Sequence, residues 1–414
     1  MKFKLTSLEK QWILYDVGNS AFILLVSTIL PIYFKYLASS ANIDSATYLA
    51  YWGYAISIST LIVAILGPTL GSVADTKDFK KKLFTAAMMI GVIACAGLGL
   101  TSSWIVFLLI FIVAKSAYSV SLVFYDSMLT DVTTEERMDS VSSSGYAWGY
   151  IGSCVPFIVA LVIVLKADSI GLTTPTAMLI AFCITAAWWL FTTLPLLKNY
   201  KQIYYIDSVE HVVRTSFSRL WNTLKEITKE KKVLFFFLAF FFYIDGVYTI
   251  IDMATAYGES LGLDSTGLLL ALLVTQFVAF PCALIFGRLS AKYDSAKLIL
   301  VCIIAYFAIT LYAVQLDKQI EFWILAVCVG MFQGGIQALS RSYFGKIIPP
   351  EKSGEYFGLL DICGKGASFV GTFLVSFISQ ITGSPSAGVG SLCVMFFFGL
   401  VLFIKAEKVK KSQV

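Results

Sequence analysis

The sequence predicts an all-α polytopic membrane protein, with twelve transmembrane helices arranged as two similar six-helix bundles. Hydrophobic residues make up 58% of the 414-residue chain and charged residues only 14%, which excludes an ordinary soluble domain. Six apolar segments precede a polar central segment at 198–232, and six follow it. Each segment, at about 1.5 Å per helical residue, is long enough to cross a hydrocarbon core of about 30 Å.

The apolar segments set the predicted element order. The predicted spans are 11–36, 47–73, 83–101, 103–129, 141–166, 172–196, 233–258, 264–290, 297–315, 321–345, 356–381 and 386–406. The predicted domains are an N-terminal bundle at 1–197, a cytoplasmic linker at 198–232 and a C-terminal bundle at 233–414. Connections within each bundle are short, so neighbouring helices must run antiparallel.

The polar central segment has its own helical pattern. Apolar residues recur at steps of three and four between Ile206 and Ile227, with charged residues between them. This pattern predicts an amphipathic helix that lies on the membrane surface. A solvated helical linker is the alternative.

The net charge of +5 is distributed unevenly between alternate loops. The basic clusters are Lys77 with Lys80, Lys81 and Lys82; eight residues between Lys198 and Lys232; Arg288, Lys292 and Lys297; and Lys405, Lys408, Lys410 and Lys411. The opposite loops carry little beyond Lys166 and Lys318. The positive-inside rule therefore predicts that both termini and the central segment are cytoplasmic, and the charge gives no reason to expect a nucleic-acid partner. Compact loops favour a bacterial inner membrane.

Metal and cofactor sites are not expected. All eight cysteines lie inside predicted spans without CxxC spacing, and the one histidine, His211, lies in the central segment. No GxxxxGK[ST] loop for ATP is present, and a Ser-His hydrolase would lack its histidine within the membrane. We therefore expect a protein that is not an enzyme.

Ionisable residues within the spans indicate a polar interior, because a charge at membrane depth is costly unless it faces protein or water. Spans three, six, nine and twelve have essentially none, whereas spans one, four, seven, ten and eleven carry Asp16, Lys115, Asp126, Asp245, Asp252, Arg341, Asp361 and Lys365. A period of three helices predicts two three-helix repeats per half around a central cavity, as in secondary transporters. Hydrogen bonds that merely join helices are the alternative.

Depth and helical face divide these polar residues into two groups. The substrate-binding candidates lie near the bilayer midplane or on the same polar stripes: Lys115, Asp245, Gln333, Gln337, Asn19 and Lys365. Lys115 would hold the carboxylate of a zwitterion and Asp245 its amino group. Alternatively, Lys115 and Asp245 neutralise each other, and Asp361 forms an intrahelical ion pair with Lys365.

The second group lies nearer the cytoplasmic ends and is predicted to form a gate. Its members are Asp16, Asp126, Arg341 and Asp361, which could pair across the two halves when the cavity is closed inward. Asp245 and Asp252 are the candidates for proton coupling, because desolvation favours the neutral form of a buried carboxyl. Sodium coupling is the alternative.

Small residues and prolines predict how the helices pack and bend. Three motifs predict close helix contacts: Gly67-x3-Gly71, Gly145-x3-Gly149 and Gly330-x3-Gly334. Four prolines inside spans predict kinks: Pro31, Pro68, Pro156 and Pro281.

The loop GSVADTKDFKK at 71–81 resembles the cytoplasmic loop motif of the major facilitator superfamily, with Thr76 and Asp78 departing from it. The resemblance implies a gating role for Asp75. A second copy at 287–294 has Ala291 in place of the aspartate.

Strings at 12–21 and 334–342, with FYD at 124–126 and YIDG at 243–246, resemble the vacuole-effluxer branch of this superfamily, the relatives of the fungal autophagy-related vacuolar amino-acid permease. Val17 and Ile244 replace its usual tryptophan and asparagine. The resemblance implies the major facilitator fold and efflux of small solutes such as amino acids.

These observations predict a monomeric secondary active transporter that moves a small polar or zwitterionic, amino-acid-like solute by alternating access. Its expected partners are the substrate, a proton or sodium ion, and membrane lipids. A lipid, lysolipid or amphiphile transporter on the same fold is one alternative. A membrane sensor or scaffold is the other.

Overall fold

The computed structural model describes residues 4–43, 45–207 and 212–409. The first half contains α1 (Ser7–Ser27), α2 (Ile29–Ser40), α3 (Ser45–Ala74), α4 (Lys80–Gly97), α5 (Trp104–Ser127), α6 (Leu129–Val132), α7 (Met138–Leu165) and α8 (Thr174–Asn199). The central segment contains α9 (Val212–Lys229). The second half contains α10 (Lys231–Ser260), α11 (Ser265–Leu289), α12 (Ser295–Ala313), α13 (Gln319–Ile347), α14 (Ser353–Thr382), α15 (Pro385–Gly390) and α16 (Leu392–Lys408).

The helices confirm the predicted all-α membrane fold. Within the described ranges, 11 helical segments are long and apolar enough to cross a membrane. The twelfth span is α14, which is 30 residues long and ends in the apolar segment Val370–Thr382. Each half also has its own hydrophobic core, one formed by residues between Trp12 and Tyr200 and the other by residues between Ile227 and Phe403.

The two halves repeat one hydrogen bond between equivalent helices. The hydroxyl groups of Tyr15 and Ser121 are 2.6 Å apart and join α1 to α5. Those of Tyr243 and Ser340 are 2.7 Å apart and join α10 to α13. The first and fourth spans of each half are thus paired in the same way, as expected for an internal repeat.

The first span differs from the single helix predicted at 11–36, because it is divided into α1 and α2 at Thr28. Thr28 has φ −130° and ψ −74°, outside helical values. Pro31, three residues later, lacks the N–H that would continue the hydrogen-bond ladder. Pro68, Pro156 and Pro281 instead lie inside helices that continue through them, namely α3, α7 and α11.

All three small-residue motifs make the predicted close contacts, which we express as the distance that a Cβ atom added to the glycine would have. On Gly71 it would lie 2.2 Å from the carbonyl oxygen of Gly354 in α14. On Gly145 it would lie 2.6 Å from Asp16 Oδ2 in α1, and on Gly330 it would lie 2.8 Å from a carbonyl oxygen of α11. The motifs therefore join α3 to α14, α7 to α1 and α13 to α11.

The predicted amphipathic helix of the central segment is present, but it begins later than the pattern suggested. In α9, Ile227 is buried, whereas Leu224 on the same predicted apolar face and Trp221 are exposed. Ile206 lies before the helix, because its N–H donates to the Asp75 carbonyl (2.8 Å) and its carbonyl accepts from Lys77 N–H (3.1 Å). Val209, which belongs to the same predicted pattern, lies outside the described residues.

Candidate gate and central site

Polar clusters join the two halves on one face of the helix bundle, which we call the basic side. It contains the loops at 75–79 and 290–294, the segment at 200–207 and the loop at 348–352, together with α9. Thr76 pairs with Ile206 in an isolated bridge, and Lys352 forms an ion pair with Glu226 of α9. Three buried clusters, around Arg341, Asp75 and Asp139, join the two halves on this side.

Arg341 of α13 is held by the first half of the chain. Its Nη2 lies 3.3 Å from Asp16 Oδ2, and its Nη1 lies 3.0 Å from Asp126 Oδ1. It also donates to the Ser142 hydroxyl (2.9 Å) and to the Ser142 carbonyl (3.0 Å). The side chain is 5% exposed. One arginine from the second half is thus shared by two carboxylates from the first.

Aromatic rings complete the environment of Arg341. The guanidinium carbon lies 4.7 Å from the ring centroid of Trp12 and 4.3 Å from that of Tyr146, distances suited to cation–π attraction. Trp12 stacks on Tyr125 at 4.3 Å and donates to its carbonyl. Tyr146 and Ser142 could not be recognised from the sequence, since neither differs from the many other tyrosines and serines of the chain.

Asn19, a predicted substrate residue, lies next to this cluster. Its amide nitrogen donates to the Tyr15 carbonyl (3.0 Å) and is 3.5 Å from Asp16 Oδ1, and the side chain is buried. The structure therefore groups Asn19 with Asp16.

Asp75 joins the loop after α3 to the first turn of α14. Its two oxygens accept the main-chain N–H groups of Gly354 (2.8 Å) and Glu355 (2.9 Å). These are N–H groups that a helix start leaves without an intrahelical partner, and the positive end of the helix dipole attracts a carboxylate. Asp75 is fully buried. A carboxylate of one half thus caps a helix of the other.

Lys80, at the start of α4, extends the Asp75 contact into a buried network. Its Nζ lies 3.9 Å from Asp75 Oδ1 and 3.4 Å from Asp131 Oδ2, and it donates to the Ser353 hydroxyl at 2.9 Å. Asp131 also accepts from the Tyr200 hydroxyl (2.5 Å) and from main-chain N–H groups of the central segment. Asp131 could not be recognised from the sequence, because its partners come from segments that are far apart in the chain.

The Asp75 contact is expected to depend on pH. Burial raises the pKa of the Asp75 carboxyl from 3.8 to about 7, although Lys80 and the two N–H donors act to lower it. A raised pKa favours the neutral form where the contact is made, so its contribution to stability is complete below pH about 4 and is lost as pH rises through about 7. We expect the melting temperature to fall as pH rises from about 4 to about 7, and Asp75→Asn to remove part of that slope. An unchanged slope in the variant would contradict this assignment.

A third cluster lies around Asp139 at the start of α7. Asp139 Oδ2 is 2.6 Å from Lys346 Nζ of α13 and accepts from the Ser295 hydroxyl at 2.5 Å, while Oδ1 accepts from the Ser342 hydroxyl at 2.6 Å. The second copy of the loop motif has Ala291 where the first has its aspartate. Near that second loop, the two halves are therefore connected by Asp139 of the first half and Lys346 of the second.

The remaining predicted site residues lie in α5, α10, α13 and α14. Gln337 accepts a hydrogen bond from Tyr150 of the first half at 2.8 Å. Gln333 is buried and lines a small cavity between α10, α11 and α13. Lys115 and Asp361 are half-buried and Asp252 is exposed. The side chain of Lys365 lies outside the described residues.

Asp245 is completely buried within the second half. Its Oδ1 accepts from the Thr249 hydroxyl (3.2 Å) and from the main-chain N–H of Gly371 in α14 (3.0 Å). In the part of the chain that the structure describes, its hydrogen bonds come from these two residues.

Comparison with known proteins assigns the chain to a family. The family model described as "Vacuole effluxer Atg22 like" matches residues 7–414. The chain is 42% identical to the uncharacterized MFS-type transporter YxiO of Bacillus subtilis (strain 168), covering 97% of this chain and 95% of that protein. It is 24% identical to Autophagy-related protein 22 of Eremothecium gossypii, over 80% and 72% of the two chains. The match to Autophagy-related protein 22 of Botryotinia fuckeliana, 23% identical, covers 66% of this chain and only 50% of that protein.

Solved structures show the same fold. The major facilitator superfamily transporter FucP in the outward conformation superposes with a TM-score of 0.72 at 14% identity, over 99% of this chain and 98% of that one. A bacterial homologue of the iron transporter ferroportin in its outward-facing state gives 0.70 at 14% identity, over 97% and 99%. At such identities the likeness defines the fold alone.

Proposed function

The chain belongs to the vacuole effluxer Atg22-like family of major facilitator transporters, and from this premise we propose which solute it carries and how. The proposed substrate is a small polar or zwitterionic, amino-acid-like molecule that moves by proton-coupled alternating access. The observation that carries the proposal is the Arg341 cluster, in which a buried cation of one half is shared by Asp16 and Asp126 of the other. Such a contact is favourable only while the halves are together on that side.

The positively charged loops support an orientation. Because these loops lie on the same face as α9, we propose that the basic side faces the cytoplasm, that both termini lie there, and that the protein resides in the cytoplasmic membrane of a bacterium. The conformation described here is then the one closed toward the cytoplasm. The bundles at 1–197 and 233–414 would rock about the central site, with the linker at 198–232 between them.

The gate of this proposal contains Arg341, Asp16, Asp126, Asp361 and Asp75. Each of the first three contributes to a cross-half ion pair, and Asp75 holds the first turn of α14. Opening the basic side must break these contacts, so a ligand can drive opening only by binding the open state more tightly.

The substrate residues of this proposal are Lys115, Gln333, Gln337, Asn19, Lys365 and Asp245. Lys115 supplies a cation for a substrate carboxylate, and Gln337 already makes a hydrogen bond across the halves. Asp245 is fully buried in this conformation, which favours a role in carrying the proton. Asp252, which is exposed, is the second candidate for proton coupling.

The test is the internal pH of proteoliposomes that contain the protein and a pH-sensitive dye, measured while a mixture of amino acids and short peptides is added outside. We expect a solute-dependent pH change that Asp245→Asn abolishes and that the exposed-loop control Asp168→Asn retains. A flat trace from the wild-type chain would exclude proton-coupled carriage of these solutes and leave uniport, sodium coupling and the lipid or amphiphile alternative, in that order. Normal flux in Asp245→Asn would overturn the role of Asp245.

A further inference from the structure

The two oxygens of the Asp245 carboxyl have different surroundings. Oδ1 accepts two hydrogen bonds, whereas Oδ2 is enclosed and has no hydrogen-bond partner among the described residues. An ionised carboxylate shares its charge between both oxygens, and leaving one of them without a donor at membrane depth is costly. A neutral carboxylic acid instead has one carbonyl oxygen that accepts and one oxygen that carries the proton. The observed pattern is that of the neutral acid with its proton on Oδ2.

No neighbouring charge in the described residues compensates an ionised Asp245. The helices α9, α11, α13, α14 and α16 pack against α10. Their charged and phenolic groups with described side chains, together with those of α10 itself, are Lys231, Lys232, Tyr243, Tyr248, Asp252, Tyr257, Lys225, Glu226, Lys229, Arg288, Glu321, Arg341, Tyr343, Lys346, Glu355, Tyr356, Asp361, Lys405, Glu407 and Lys408. None of these makes a hydrogen bond or an ion pair with Asp245 in the described structure. The two groups that face its carboxyl, the Thr249 hydroxyl and the Gly371 N–H, do not titrate near neutral pH.

Gly371 brings α14 into direct contact with this carboxyl. A Cβ atom on Gly371 would lie 2.4 Å from Asp245 Oδ1 and 2.2 Å from the Thr249 hydroxyl oxygen. A rearrangement of the carboxyl or its hydrogen bonds therefore acts directly on the main chain of α14. The same helix begins at the gate, where Gly354 and Glu355 donate to Asp75. Gly371 lies 17 positions after Gly354, about 25 Å along a helix axis, so α14 connects the buried acid to the basic side.

We propose that Asp245 carries a proton on Oδ2 while the basic side is closed. Loss of this proton moves α14 away from α10 and releases the first turn of α14 from Asp75. This inference rests on the proposed proton coupling and names the atom and the conformation that hold the proton. In the release step the Oδ2–H bond breaks, its electron pair stays on Asp245, and the proton passes to water that enters as the helices part. Because the closed conformation holds the proton more tightly, acidification favours closure and alkaline pH favours opening.

The test is hydrogen–deuterium exchange of the full-length chain in detergent, followed in peptides that cover 351–360 at pH about 6 and about 8 and corrected for the intrinsic pH dependence of exchange. For the wild type we expect at least about tenfold faster exchange at the higher pH. Asp245→Asn keeps the accepting oxygen and cannot ionise, so its peptides should stay protected at both values. Gly371→Ala, which displaces the carboxyl, should exchange fast at both.

Two controls isolate Asp245. Asp168→Asn, in an exposed loop, should respond to pH like the wild type. Because Asp75 itself titrates near the same pH, the comparison is repeated in an Asp75→Asn background, where the remaining pH response should vanish on adding Asp245→Asn. The proposal is overturned if the wild type shows no pH response in 351–360, or if Asp245→Asn keeps it in that background. Neither result depends on solute, so a failure of solute-driven flux alone would contradict the proposed function and leave this inference standing.

Discussion

Replacing Arg341 with alanine is expected to destabilise the conformation closed at the basic side more than any other side-chain truncation in the gate. The change leaves Asp16 and Asp126 without their shared partner in a buried site, and removing one partner of a buried ion pair costs about 3–5 kcal/mol. This corresponds to a roughly hundredfold to few-thousandfold loss of closed population relative to open. The loss of contacts with Trp12 and Tyr146 acts in the same direction.

The measurement for Arg341→Ala is the melting temperature of the purified protein, together with hydrogen exchange in peptides around Ser142. We expect a lower melting temperature and faster exchange. Arg341→Lys keeps the charge but loses the planar fork that serves both carboxylates and Ser142, so it should fall between alanine and wild type. Arg288→Ala is the matched control, since Arg288 is an exposed arginine on the same side. Equal behaviour of Arg341→Ala and Arg288→Ala would show that the cluster contributes nothing to closure.

Gly71→Ala is expected to have the second largest effect, through sterics alone. The added methyl group would lie 2.2 Å from the Gly354 carbonyl oxygen, where only main-chain movement can relieve the clash. The ends of α3 and α14 must then separate by about 1 Å, and overpacking of this kind costs about 1–3 kcal/mol. Since Gly354 N–H donates to Asp75 at the same contact, the hydrogen bond should weaken as well.

The experiment compares Gly71→Ala with Gly53→Ala in the same helix. A Cβ atom on Gly53 has no heavy atom within 4 Å, so that variant makes the same chemical change without the clash. We expect exchange of the Gly354 and Glu355 amides to become roughly five- to a hundredfold faster in Gly71→Ala and to stay unchanged in Gly53→Ala. Similar exchange rates in the two variants would mean that the α3–α14 contact does not limit opening.

Several residues of the gate could be predicted from the sequence, whereas their contacts could not. Arg341, Asp16 and Asp126 were found because each is a charge inside an apolar span, a costly feature that needs a partner or water. The residues that complete their site, Ser142 and Tyr146, carry no such signal. Their importance depends on the face that α7 turns toward α13, which hydropathy does not encode.

For Asp245, the candidate for proton coupling, the residue could likewise be predicted from the sequence but its contacts could not. Asp245 was predicted from its depth in the membrane, but its contact with Gly371 was not, since a glycine is informative only when a neighbouring helix approaches it closely. Asn19 was predicted to bind substrate because it lies on the polar face of the first span. In the structure its side chain contacts Asp16 of the same helix.

The sequence alone determined the fold class, the twelve spans, the presence of close helix contacts at small-residue motifs and some of the buried charges, among them Arg341, Asp16 and Asp245. These are properties of single helices, set by composition and by spacing along about 20 residues. Only the tertiary structure decided which groups meet, such as Asp75 with an α14 amide 279 positions away. Such contacts depend on the rotation and packing of helices that are distant in the chain, and a local pattern of apolar residues leaves both undetermined.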